Sequence, residues 1–162
     1  MVDEAERAIE DAIGAVSSAI DSGAVVAGGG AAEIEIARKL KEYAEQVGGR
    51  EQLAIEAFAE SLEIIPRTLA ESAGMDAIET VVKLRAEHAQ GKKWLGVDVL
   101  NASVADMWKA NVIEPAKVKT QAIASAAEAA EMILKIDDII AAKKVSGEDK
   151  EKGTSDFGGD EF

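Results

Sequence analysis

The chain has 162 residues, and 18 Lys and Arg set against 31 Asp and Glu leave a formal net charge of −13. Polyphosphate backbones and anionic bilayers would repel such a chain, which excludes nucleic-acid and membrane partners. Cysteine is absent, which excludes a disulfide framework, a thiol nucleophile and thiolate metal centres and fits a reducing, cytoplasmic setting.

The longest uncharged stretch, Ser22 to Ala32, is eleven residues, well short of the roughly 18 a membrane span needs. Asp3, Glu4 and Glu6 leave no basic leader at the N-terminus. With 31 alanines, 4% aromatic residues and two prolines, the composition predicts one mainly α domain with a few short β-strands, its helices packed closely on small side chains.

In chain order, Ala5, Ile9, Ala12, Ile13, Val16 and Ile20 fall on one stripe of a first helix that Gly23 closes. A short apolar run, Ala24 to Ala27, leads into Gly28, Gly29 and Gly30. A second helix carries Ile34, Ala37, Leu40, Tyr43 or Ala44, and Val47, and ends at Gly48 and Gly49. A third runs from Arg50 to Ile65, where Pro66 should break or kink it and begin a shorter piece ending at Gly74. Asp76 is a natural N-cap for a helix carrying Ile78, Val81, Val82 and Arg85.

Trp94 to Leu100 alternates like a strand. Ser103 and Asp106 have the spacing of a loose capping box, which predicts a short helix there. Asn111 tolerates left-handed dihedrals, Val112 to Glu114 should be extended before Pro115, and the longest helix should start at that proline. Its buried row is read as Val118, Ala122, Ser125 or Ala126, Ala129 and Ile133. Ile136 to Ile140 is a candidate strand, and Val145 to Phe162, with six acids and two lysines, should be disordered.

Four features could carry chemistry. Asp11 lies on the polar face of its helix beside Gly14 and Ser18, which by itself reads as a solvated carboxylate on a flat floor. Gly28 to Gly30 allow close backbone approach, but no phosphate-loop pattern is present, and Glu33 and Glu35 in the first turn of the next helix would repel an anion. Asp98 and Glu114 are acids on extended segments, suited to accept hydrogen bonds from sugar hydroxyls or a base amine. His88, the single histidine, lies near a helix C-terminus without a second ligand or nucleophile beside it.

The opening VDEAERAIEDAI, then GAVVAGGGAAEIEIARKL, the stretch from Glu42 to Glu79, GVDVLN and VIEPAKVKTQAIASAAEAAEMILKIDDII occur in an order and spacing that closely resemble the C-terminal part of archaeal group II chaperonin (thermosome) subunits. Ala27 departs from the proline often found there. The resemblance implies an intermediate-domain helix over residues 1–22, the C-terminal half of an equatorial ATP-binding domain over 23–144, and an acidic Gly-containing tail over 145–162.

It further implies that Asp11 activates the hydrolytic water. The backbone around Gly29, in the Gly28 to Gly30 loop, would pack on the nucleoside, Asp98 and Val99 would line the adenine pocket, and Val112 and Glu114 would belong to the strand whose acid holds the ribose hydroxyls. The cofactors implied are ATP and Mg2+, and the partners are other chaperonin subunits in a double ring, with unfolded protein clients held by an apical domain. The family's GDGTT phosphate loop does not occur in this sequence. The chain is therefore expected to be part of a longer subunit and to hydrolyse no ATP alone. The alternative is a catalytically inactive assembly module.

Overall fold

The computed structural model describes residues 2–137. Six helices and four short strands follow in the order α1 (Val2–Ser22), β1 (Val25–Ala27), α2 (Ala31–Val47), α3 (Gly49–Leu62), α4 (Ile64–Ser72), α5 (Ala77–Ala89), β2 (Leu95–Asp98), β3 (Ser103–Asp106), β4 (Ile113–Pro115) and α6 (Ala116–Leu134). The fold is mainly α, as composition predicts. Two compact units are present, Met1–Ser125 and Ala126–Phe162; the site described below lies wholly in the first.

Small side chains make the core. Six of its twelve buried apolar residues are alanines (27, 31, 37, 44, 59 and 70), and only residues this small let helix backbones approach so closely. Ile34, Ala70, Val81, Leu84 and Val97 form one buried cluster, and Ala37, Ala59 and Leu62 form another between α2 and α3. Asp76 caps α5 as its position predicts, its carboxylate accepting from the Glu79 amide at 2.9 Å.

Two antiparallel pairs provide the β-structure: β1 with β4, in the register Val26 to Glu114, and β2 with β3, in the register Val97 to Val104. The second pair corrects the helix expected from Ser103 and Asp106. Val104 pairs across from Val97, so Ser103–Asp106 is a strand, and Asp106 caps the turn after it by accepting from the Lys109 amide at 3.1 Å.

Further expectations shift. The break in the third helical run falls at Glu63 rather than Pro66, which sits in the first turn of α4, where its missing N–H removes no helical bond. The inward face of α5 is Thr80, Val81, Leu84 and His88, while Ile78 and Val82 are exposed. On α6 the expected row of Val118, Ala122, Ser125 or Ala126, Ala129 and Ile133 is exposed, and Lys119 and Ile123 are half-buried instead. The apolar stripe of α1 is exposed along Ile9, Ile13, Val16 and Ile20. No helix among the described residues is long and apolar enough to cross a membrane. Apart from Ile136 and Asp137, the expected strand at Ile136 to Ile140 and the whole acidic tail lie outside the described residues.

Candidate functional site

Three chain segments far apart in sequence meet around the triple glycine, and each contact there depends on a missing side chain. The Gly28 amide donates to the Val112 carbonyl at 2.9 Å. A Cβ on Gly28 would stand 2.9 Å from both Glu114 Oε1 and Val112 Cγ1. Gly29, at φ +63°, accepts through its carbonyl from the Val97 amide at 2.8 Å, and a Cβ on it would lie 2.8 Å from the Val97 carbonyl oxygen and the Met107 sulfur. Gly30, at φ +76°, packs on Pro66, where a Cβ would come within 2.7 Å of the ring. Left-handed dihedrals and close approach together require glycine at these two positions. Gly96 on β2 completes the contact, its Cα side facing the carbonyls of Gly28 and Gly29.

Gly28, Gly29, Gly30, Val112 and Glu114 are thereby held together, with Asp98 and Val99 following from the same β2 strand. Val99 is exposed and opens the hairpin turn after Asp98. The Asp98 carboxylate is engaged by that turn: Oδ1 accepts from the Leu100 and Asn101 amides at 3.0 and 3.1 Å, and Oδ2 from Asn101 Nδ2 at 2.7 Å. Donation from the Asn101 side chain, then from the backbone, holds the Asp98 carboxyl below the usual aspartate range.

Glu114 is half-buried and pairs with Lys119, whose Nζ lies 2.7 Å from Oε2. The same ammonium lies 2.7 Å from Oε1 of Glu33, a buried residue in the first turn of α2. The sequence places Glu33 in the first helical turn, where it would repel an anion, and does not single out Lys119. The signal available was their placement: Glu33 three residues after Gly30, and Lys119 one turn into the helix that Glu114 precedes.

Asp11 is exposed on α1, with no hydrogen bond or ion pair to the glycine loop. At 1.5 Å per residue it stands about 16 Å along the helix from Ser22, so Asp11 is not brought into the Gly28 to Glu114 cluster. His88 is a structural residue. Its ring is buried, Nε2 donates to the Leu95 carbonyl at 2.8 Å, and Nδ1 lies 3.0 Å from Glu35 Oε2. Hydrogen bonding by Arg38, opposed by burial and aided by His88, holds the Glu35 carboxyl below the ordinary range. Glu33 and Glu35 are both engaged within the fold, so neither faces outward as a free charge.

The junction brings together bare backbone, an apolar strand and one carboxylate with an oxygen facing Gly28, the groups that a flat base and a sugar diol would call for. It does not fit a metal. Among the described residues no three acidic or histidine side chains converge as ligands would.

Comparison with known proteins gives a consistent result. The TCP-1/cpn60 chaperonin family profile matches residues 1–144. Thermosome subunits of Methanopyrus kandleri and Methanocaldococcus jannaschii are 62% identical over 146 residues and 56% identical over 163, covering 90% and 100% of this chain but 27% and 30% of theirs. An open-state monomer of a group II chaperonin from Methanococcoides burtonii superposes with a TM-score of 0.75 at 50% identity, over 83% of this chain and 34% of that one. The chain thus spans less than a third of the length of the curated relatives it matches. At this identity and coverage, the chain belongs to the TCP-1/cpn60 chaperonin family.

Proposed function

We propose that this chain supplies the nucleoside face of the ATP site in a group II chaperonin subunit, together with the carboxylate that activates water. The observation that carries the reading is the convergence of Gly28 to Gly30, β2, Val112 and Glu114, packed so closely that a Cβ on any of the three glycines would come within 2.7 to 2.9 Å of a neighbouring atom. Gly28 to Gly30 pack on the nucleoside, Asp98 and Val99 wall the base through backbone and apolar surface, and Glu114 accepts from the ribose hydroxyls. Bound ATP supplies the phosphoryl group. Asp11 polarises the attacking water once α1 is carried onto the site, which calls for a domain movement, since the two lie apart here.

Phosphoryl transfer also needs phosphate clamps and a metal. The GDGTT loop is absent from this sequence, so the complementary part of a longer subunit provides both. In that assembly the partners are further chaperonin subunits, and the work done is the ATP-driven folding of unfolded protein clients.

Co-expression with the complementary part of a thermosome subunit tests this. The expected result is a ring with ATPase activity that falls about a hundredfold or more in Asp11→Ala while nucleotide still binds, and no phosphate release above background from the chain alone. Release by the chain alone that vanishes in Asp11→Ala would overturn it. A second reading, an assembly module without catalysis, is favoured by the exposed apolar stripe of α1; a ring without ATPase activity would support that reading instead.

A further inference from the structure

A carboxylate on a short strand has no fixed rotamer of its own, yet a ribose diol is recognised only by an acceptor held in place. Glu114 belongs to a three-residue strand and is followed by Pro115, which donates no hydrogen bond. What holds its side chain is Lys119, whose Nζ is shared at 2.7 Å each between Glu114 Oε2 and Glu33 Oε1.

Glu33 anchors this arrangement. Its side chain is 3% exposed, and Oε2 is buried without a hydrogen-bond partner among the described residues. A carboxylate so placed is tolerable only with a cation against it, so Lys119 cannot swing away without stranding a buried charge. Burial disfavours the charge on Lys119, but hydrogen bonds to Glu114 and Glu33 outweigh it and raise the ammonium above the ordinary lysine range. The clamp therefore stays charged at neutral pH. Because Glu33 follows Gly30 by three residues, one ammonium ties the glycine loop and its helix to β4 and α6.

We propose that Lys119, anchored on buried Glu33, is the positioning residue that fixes Glu114, holding Oε2 and leaving Oε1 beside Gly28 for the hydroxyls of a bound nucleoside. The proposal rests on the reading of Glu114 as hydroxyl acceptor. It explains why α6 turns Lys119 rather than the apolar Val118 inward, and why glycine suits position 28: a Cβ there would meet, at 2.9 Å, the Oε1 of a carboxylate that Lys119 holds.

The test is calorimetric titration of the full chain with adenosine and with 2′,3′-dideoxyadenosine. Lys119→Met alone would strand Glu33, so the informative variant is Glu33→Gln with Lys119→Met, which leaves neither buried charge. Wild type should prefer adenosine by about tenfold or more, as a charge-assisted hydrogen bond to a diol implies. The double variant should weaken adenosine to the level of the dideoxy compound while leaving the dideoxy affinity unchanged, and Lys119→Arg should keep most of the preference.

A double variant that is folded by circular dichroism and retains the full preference would overturn the positioning role. Equal weakening of both nucleosides would also overturn it, since that is what a purely structural tie produces. If wild type shows no preference, or Glu114→Gln leaves the preference intact, the nucleoside reading itself fails and the proposal falls with it.

Discussion

Gly29→Ala should lower the stability of the chain by about 3 kcal/mol, a fall in Tm of roughly 10 °C. Two costs combine. An alanine at φ +63° pays about 1 kcal/mol or more for the left-handed region. Its Cβ would also press to 2.8 Å on the Val97 carbonyl oxygen and the Met107 sulfur. The sulfur can move, but the carbonyl belongs to β2 and is held by the hairpin. Gly14→Ala is the control: it sits mid-helix with nothing within 4 Å of its Cβ position, so it should leave Tm unchanged or raise it slightly. Thermal melting followed at the helical band checks both, and equal effects of the two substitutions would contradict the close packing of the glycine loop.

Glu63→Gln should cost about 2 kcal/mol at neutral pH, and the cost should shrink in acid. Glu63 is the single residue between α3 and α4. Its buried side chain accepts from Lys41 Nζ at 2.9 Å and from Arg85, whose Nε lies 2.9 Å from Oε1 and whose Nη2 bonds Oε2. Breaking a buried pair costs about 3–5 kcal/mol; Lys41 and Arg85 reach solvent, which reduces that.

Burial pushes the Glu63 carboxyl up, but the hydrogen bonds from Arg85 and Lys41 outweigh it and hold the folded value below the ordinary range. A depressed folded value stabilises fully above the unfolded pKa, and the contribution is lost as pH falls through the folded one. Urea denaturation of wild type and Glu63→Gln between about pH 7 and about pH 3 should therefore show the stability gap closing with acid. A gap that does not change with pH would contradict this.

Neither residue's role was equally visible in the sequence. Glycine followed by glycine after a short apolar run announces close backbone approach, and the structure places that approach against β2, Val112 and Pro66. Glu63 carries no such signal, because a Glu in an alanine-rich helical run is ordinarily a solvated face; only the meeting of α2, α4 and α5 buries it. Helices were legible where caps and glycines mark their ends, as at Asp76, Gly48 and Gly23.

The inward faces were harder to read. On α5 and α6 apolar residues occupy both candidate stripes, and the face that turns in is chosen by polar partners: His88 to Glu35 and the Leu95 carbonyl, and Lys119 to Glu33 and Glu114. The hairpin at Ser103 resembles a helix start in sequence for a related reason, since Asp106 caps a turn after the strand just as it would cap a helix. Of the site, Gly28 to Gly30, Val112 and Glu114 were legible from the family resemblance and meet in space. The Lys119 clamp was not legible, because a lysine near two acids in sequence is common and only burial distinguishes this one.

Adenosine titrated into the 15N-labelled chain decides most directly whether the glycine loop and Glu114 form a nucleoside face. The largest amide shifts should fall on Gly28, Gly29, Gly30, Val99, Val112 and Glu114, with the N-terminal turn of α5 unmoved. Saturating adenosine that leaves the glycine loop unshifted, or that shifts α5 in its place, would contradict it.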